Sequence, residues 1–117
     1  MNALEIAVYA LVLSGGTDGF TCRTMEAATG EVVTCTNGRS ALEEDGRIKF
    51  ENGVSITKLP DGKLAFSNGI STHWGSAGWV QFSNGISVRR TSDGSFKSST
   101  GMRCAQSGAT AAACRKE

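Results

Sequence analysis

The chain is short of most things that an active site or a membrane anchor needs. It has one His, so a Cys-His or Ser-His pair could use only His73, and local spacing holds no acid beside it. Its net charge is only +1, from 12 Lys and Arg against 11 Asp and Glu, so there is no polyelectrolyte bias of the kind that draws a protein to nucleic acid or anionic lipid. Cysteines two to four residues apart, the usual zinc signature, are absent. No Gly-rich phosphate loop occurs, and Leu, Glu and Lys do not dominate as they would in a helical bundle. The longest apolar run, Leu4 to Leu13, is about half of the roughly 20 residues that cross a bilayer as a helix. These absences argue against an enzyme, a metal or cofactor protein, a nucleic-acid binder and a transmembrane span. At 117 residues the chain is one domain's worth of sequence, able to bury a modest core.

The apolar N-terminus lacks the basic flank of a secretory signal, carries Glu5, and is followed by Ser14-Gly15-Gly16 rather than a small-x-small cleavage site. It reads as a short helix or a first strand, with its linker (residues 1–17), docking on the remaining domain (residues 18–117). A Glu at the fifth position of an apolar N-terminus also resembles mature type IV pilins, a likeness that stops at Ser14.

What the chain does have is glycine, 15 residues or about twice the usual share of roughly 7%, and internal repetition. Arg47 to Gly62, Lys63 to Gly78 and Trp79 to Gly94 are consecutive units of sixteen residues. A degenerate copy, Val32 to Gly46, precedes them, and another starts at Ser95. Apolar side chains fall at the second, fourth, eighth and tenth positions, as in Val80, Phe82, Ile86 and Val88. This period of two describes strands with one apolar face. Asn-Gly (37–38, 52–53, 68–69, 84–85) alternates with Asp-Gly (18–19, 45–46, 61–62, 93–94), and both are strong hairpin marks.

Register decides the turn type. A two-residue Asn-Gly loop would set Ser67 opposite Ile70 and mix the faces. A three-residue loop pairs Phe66 with Ile70, Phe82 with Ile86 and Phe50 with Val54, and keeps the apolar residues on one side. Such a loop is a type I turn closed by a left-handed residue, where Gly has no steric penalty. Pro60-Asp61-Gly62 and Ser92-Asp93-Gly94 take the same form, with Asp61 and Asp93 bonding local amides.

The expected fold is all-β: an antiparallel meander of about ten short strands built from sixteen-residue hairpin repeats. Ten strands at about 4.8 Å would form an open sheet roughly 48 Å wide, which a helix about 18 Å long cannot cover. The meander therefore rolls into a barrel or a flattened two-layer roll, or meets another chain. Closure is favoured because it removes exposed edges.

The four cysteines admit a disulfide framework or buried thiols. In the repeat frame Cys104 and Cys114 occupy slots that pair across an Asp-Gly type of turn. Cys22 and Cys35 occupy the same slots, with a loop, Met25 to Gly30, longer by three residues. Two cross-strand disulfides follow, Cys22–Cys35 and Cys104–Cys114, as staples of terminal repeats that have a neighbour on one side only. They imply an oxidising, extracytoplasmic compartment.

Binding candidates come from departures from the repeat. His73-Trp74-Gly75-Ser76-Ala77-Gly78-Trp79 replaces an Asp-Gly turn and brings two indoles to one corner. Exposed aromatics there could stack on a glycan or enter a partner's pocket, or else Trp74 caps the core edge and Trp79 packs on the N-terminal segment. Arg89 and Arg90, with Lys97 and Arg103 on neighbouring strands, could meet an acidic partner. Without interleaved aromatics they do not form an RNA-binding sheet. The row Ser40, Ser55, Ser71 and Ser87, flanked by Ser67, Ser83 and Ser99, reads as turn chemistry rather than a glycan array, and Glu43, Glu44 and Asp45 as a solvated loop. The sequence thus suggests a structural or accessory protein that docks on a protein partner or on itself. The alternative is a carbohydrate-binding module at His73, Trp74 and Trp79.

Overall fold

The computed structural model describes residues 3–15, 18–27, 30–44, 46–61 and 63–117. Gly16, Asp45 and Gly62, which belong to the linker and turn dipeptides above, lie outside the described residues.

Among the described residues one α-helix, α1 (Ala3–Ser14), is followed by twelve strands: β1 (Phe20–Ala27), β2 (Gly30–Cys35), β3 (Ser40–Glu44), β4 (Arg47–Phe50), β5 (Ser55–Lys58), β6 (Leu64–Phe66), β7 (Thr72–Trp74), β8 (Trp79–Phe82), β9 (Ser87–Arg90), β10 (Phe96–Ser98), β11 (Met102–Gly108) and β12 (Ala111–Lys116), with a short 3-10 turn (Ser76–Gly78) between β7 and β8. All lie in one antiparallel sheet in which β1 pairs with β12, so the order runs β6 back to β1, then β12 back to β7. The two ends of this order, β6 and β7, are joined by the Ser67-Asn68-Gly69 turn and one bridge, Ala65 to Ser71. The result is a nearly closed barrel. Its twelve strands exceed the expected ten or so because the degenerate outer copies also pair fully.

Turn by turn, the register follows the reading above. The Phe50, Phe66 and Phe82 amides donate to the carbonyls of Val54, Ile70 and Ile86 at 2.8, 3.1 and 2.8 Å, and Gly53, Gly69 and Gly85 take φ near +90° (89°, 94° and 94°). Asn37, Asn52, Asp61, Asn68, Asn84 and Asp93 each accept from the amide two residues on, as Asn68 does from Ile70 at 3.2 Å and Asp61 from Lys63 at 3.0 Å. The serine row has the same local origin. The Ser67, Ser83 and Ser99 hydroxyls accept the amides of Ser55, Ser71 and Ser87 at 2.9, 3.0 and 2.9 Å, while the Ser67, Ser83 and Ser99 amides donate to the same three residues' carbonyls. Each hydroxyl thus satisfies a ladder donor where the turn ends the backbone pairing.

The helix is enclosed by the sheet rather than laid on it. Nine of its twelve residues are buried, and its apolar positions are spread around its circumference, the pattern of a helix surrounded by protein. Twelve strands at about 4.8 Å make a ring of roughly 58 Å, or about 18 Å across before tilt widens it. That accommodates a helix about 10–12 Å in diameter. Helix and inward-facing strand residues form one core. α1 lies against β1, β2, β11 and β12, where Cys22, Ala112 and Cys114 of β1 and β12 are small and each 0% exposed, with Val33 and Met102 buried beside them. The opposite wall is carried by Phe66 and Phe82, whose rings meet edge to face at 6.0 Å, with Tyr9 of the helix against Phe66 at 6.3 Å.

Both disulfides join directly opposed residues, with Cα separations of 4.0 Å. Their expected setting needs correction. They do not staple free ends, because β1 and β12 are hydrogen-bonded neighbours; the free edges are β6 and β7. Nor is the first hairpin's extra length a loop, since Met25, Glu26 and Ala27 continue the ladder opposite Val32, Glu31 and Gly30.

Candidate functional site

The seam follows from one side chain. In the hairpins on either side, position two pairs with position ten as Ile48 with Ile56 and Val80 with Val88. The middle hairpin has Thr72 at position ten, and the Leu64 amide donates to its Oγ1 at 2.9 Å. The side chain thus takes the bond in place of a backbone acceptor, and from there β6 and β7 are unpaired. Beneath the seam, on the side away from the helix-bearing wall, lies an open cavity of about 540 Å³. Val8, Leu64, Val80, Phe82, Val88 and Phe96 form its apolar lining, and Glu5, Lys58, Trp74 and Arg90 also border it.

Polar groups at the mouth are mostly committed. The Tyr9 hydroxyl donates to Glu5 Oε1 at 2.8 Å, and Lys58 Nζ lies 3.2 Å from the same oxygen. Burial, then the Glu5 charge and this hydrogen bond, push the phenol well above its ordinary pKa. The Arg90 guanidinium stands over the Phe96 ring at 5.8 Å and has no ion pair among the described residues. Trp74, 65% exposed, pairs with Val80 and so follows the inward-facing alternation at the rim.

The odd turn keeps its neighbours' length by other means. The Gly75 amide donates to the Trp79 carbonyl at 2.7 Å, as Thr91 does to Ser95 at 2.8 Å. Ala77 occupies the Asp slot with φ 58°, a left-handed conformation that Ala adopts at a cost. A side chain at Gly75 would meet the Gln81 amide at 3.0 Å and the Trp79 carbonyl at 3.2 Å, so glycine permits the close crossing.

The candidate residues divide between two faces. Trp74 and Arg90 belong to the mouth. His73 pairs with Gln81, and Trp79 with Arg89; these alternate to the outer surface, so the indoles of the corner do not share a face. Outside, the basic residues expected on neighbouring strands fall into a row, without Arg90 and with Arg115 added. Trp79 is opposite Arg89, Arg89 opposite Lys97, Lys97 opposite Arg103 and Arg103 opposite Arg115. Four cations therefore lie side by side across β9 to β12, and Arg115 was missed although the repeat frame already set the adjacent Cys114 opposite Cys104, which places Arg115 opposite Arg103. Like charges in direct opposition are unfavourable. Two are offset at the surface: Arg103 by Asp93 at 2.7 Å and Lys97 by Glu117 at 3.6 Å. Hydrogen bonds from the Ser95 and Thr91 hydroxyls and the Ser95 amide, with help from Arg103, hold the Asp93 carboxyl far below the usual range. Arg89 and Arg115 have no ion pair among the described residues. Neither described surface assembles a nucleophile, base and orienting group.

Compared with known proteins, the chain matches no family model, no curated protein and no solved structure.

Proposed function

We propose that the protein is a non-enzymatic accessory or structural barrel that docks on the acidic surface of a protein partner, through the outer row of Trp79, Arg89, Lys97, Arg103 and Arg115. The observation that carries this reading is the uninterrupted cross-strand line of four cations ending in an indole. Within the chain Asp93 and Glu117 offset only Arg103 and Lys97, so Arg89 and Arg115 are the members of the line that gain most from negative charge on a partner. Arg and Trp are also residue types enriched at interface hot spots. An acidic partner is a better match than nucleic acid, because Asp93 and Glu117 interrupt the positive field and one aromatic end offers no stacking series. A glycan platform would gain most from two rings on one face, and strand alternation separates Trp74 from Trp79.

An oxidising, extracytoplasmic setting belongs to the same proposal. It is supported by two closed disulfides. No helix among the described residues is long and apolar enough to cross a membrane.

Cross-linking the native protein in its own source with a lysine-to-carboxylate reagent tests the docking reading. Lys97 should link to Asp or Glu residues of one partner, or of a second copy, and Arg89→Glu with Arg115→Glu should abolish that link while leaving the melting temperature within a few degrees. A partner held equally well by the double variant, or links only from Lys49 on the other wall, would overturn it.

A further inference from the structure

The seam cavity is a second feature, independent of the outer row. At about 540 Å³ it falls within the roughly 300–1,000 Å³ of pockets that hold small molecules. Its wall is aliphatic and aromatic, and an unfilled wall of this kind forfeits dispersion contacts that an apolar guest restores. Among the described residues the Tyr9 hydroxyl, the polar group that reaches inside, is spent on Glu5. The mouth, in contrast, is charged. Lys58 and Glu5 neutralise each other at 3.2 Å, which leaves Arg90, held over Phe96, as the cation beside the entrance without an ion pair among the described residues. Trp74 stands at the same rim with 65% of its surface exposed, able to cover a guest. Because β6 and β7 stay tied at the Ala65–Ser71 bridge, the opening tapers, which suits the end of a flexible chain better than an added strand.

We infer that this cavity binds a single-chain amphiphile with one negative charge, a long-chain carboxylate, its tail along Leu64, Val80 and Val88 and its head on Arg90.

The test uses dodecanoate and dodecanol, each below its aggregation limit, titrated into the full oxidised chain carrying Trp79→Phe, so that Trp74 is the sole indole reporter. Dodecanoate should change Trp74 emission saturably at one molecule per chain and bind about fivefold to tenfold more tightly than dodecanol, the margin of a charge-assisted contact at a solvent-exposed rim. Arg90→Gln, a change at an exposed side chain in a variant whose melting temperature is checked against the parent's, should remove the preference for the carboxylate. Arg89→Gln, one residue away but on the outer face, should leave it intact. Val88→Phe should weaken both amphiphiles by filling the space. The inference is overturned by non-saturable binding of dodecanoate, by equal affinity for the two amphiphiles, or by a preference that survives Arg90→Gln. None of these outcomes bears on partner docking, which is read from Arg89 and Arg115.

Discussion

Two leucines of α1 offer a direct measure of how the barrel is packed. Leu11 is 1% exposed and does not border the cavity, whereas Leu4, 8% exposed, faces the open space of about 540 Å³. Truncation of either to Ala removes the same atoms from the same helix, so the change in helix propensity and most of the effect on the unfolded chain cancel between them. Leu11 lies on the same face of the helix as Leu4, about two turns farther along, where it is fully enclosed and no open space adjoins it. The loss should combine transfer free energy with a new cavity, about 3–5 kcal/mol. At Leu4 the space already exists, so little beyond a partial transfer loss remains, about 1–2 kcal/mol. In a domain of this size each kcal/mol moves the midpoint by roughly 3–6 °C. Leu11→Ala should therefore melt roughly 10–25 °C below the parent and well below Leu4→Ala. Calorimetry under oxidising conditions, with urea titration to verify unchanged m-values, reads the difference directly. Equal losses at the two sites, or a loss under 1 kcal/mol at Leu11, would refute a helix enclosed along its C-terminal half and bordered by space at its N-terminal turns.

Three further outcomes are expected. Replacing both Cys104 and Cys114 by Ala, which opens a loop spanning ten positions, should lower stability by about 2–3 kcal/mol and make the remaining reductant-dependent shift in melting temperature smaller than the parent's. Ser83→Ala leaves the Ser71 amide without its side-chain acceptor and should cost about 1 kcal/mol in chemical denaturation, whereas Ser92→Ala, at an exposed turn position with no such bond, should change stability negligibly. Asp93 is held below its ordinary pKa in the folded protein, so its stabilising contribution is full above the unfolded aspartate range and declines as pH falls toward the folded value; Asp93→Asn should lower the melting temperature at pH 7, with the gap to the parent closing below pH 4, and a gap that stays constant down to pH 2 would contradict the assigned network.

The hairpin framework was legible from residues alone because in a meander each contact that sets register joins residues separated by one turn. Asn-Gly and Asp-Gly positions specify where the chain reverses, and the alternation of Phe66, Ile70, Phe82 and Ile86 selects the loop length that keeps one face apolar. The cysteine pairs inherit their partners from the same arithmetic. The inward and outward parity of Arg89 and Arg90 is equally local. Closure is not. Pairing of Phe20 with Cys114 and of Cys22 with Ala112 joins residues about ninety positions apart, which the repeat frame places in separate hairpins, and it moves the free edges from the ends of the chain to its middle. Only that closure encloses α1, whose all-round hydrophobicity fits a helix buried by any means, and only the small residues of β12 draw it to one wall and leave the cavity at the other. The row from Arg89 to Arg115 likewise needs four strands side by side. Local sequence therefore determined each hairpin and the face each residue takes, while the tertiary structure decided which faces meet, because those pairings depend on bringing distant strands into register around a shared core.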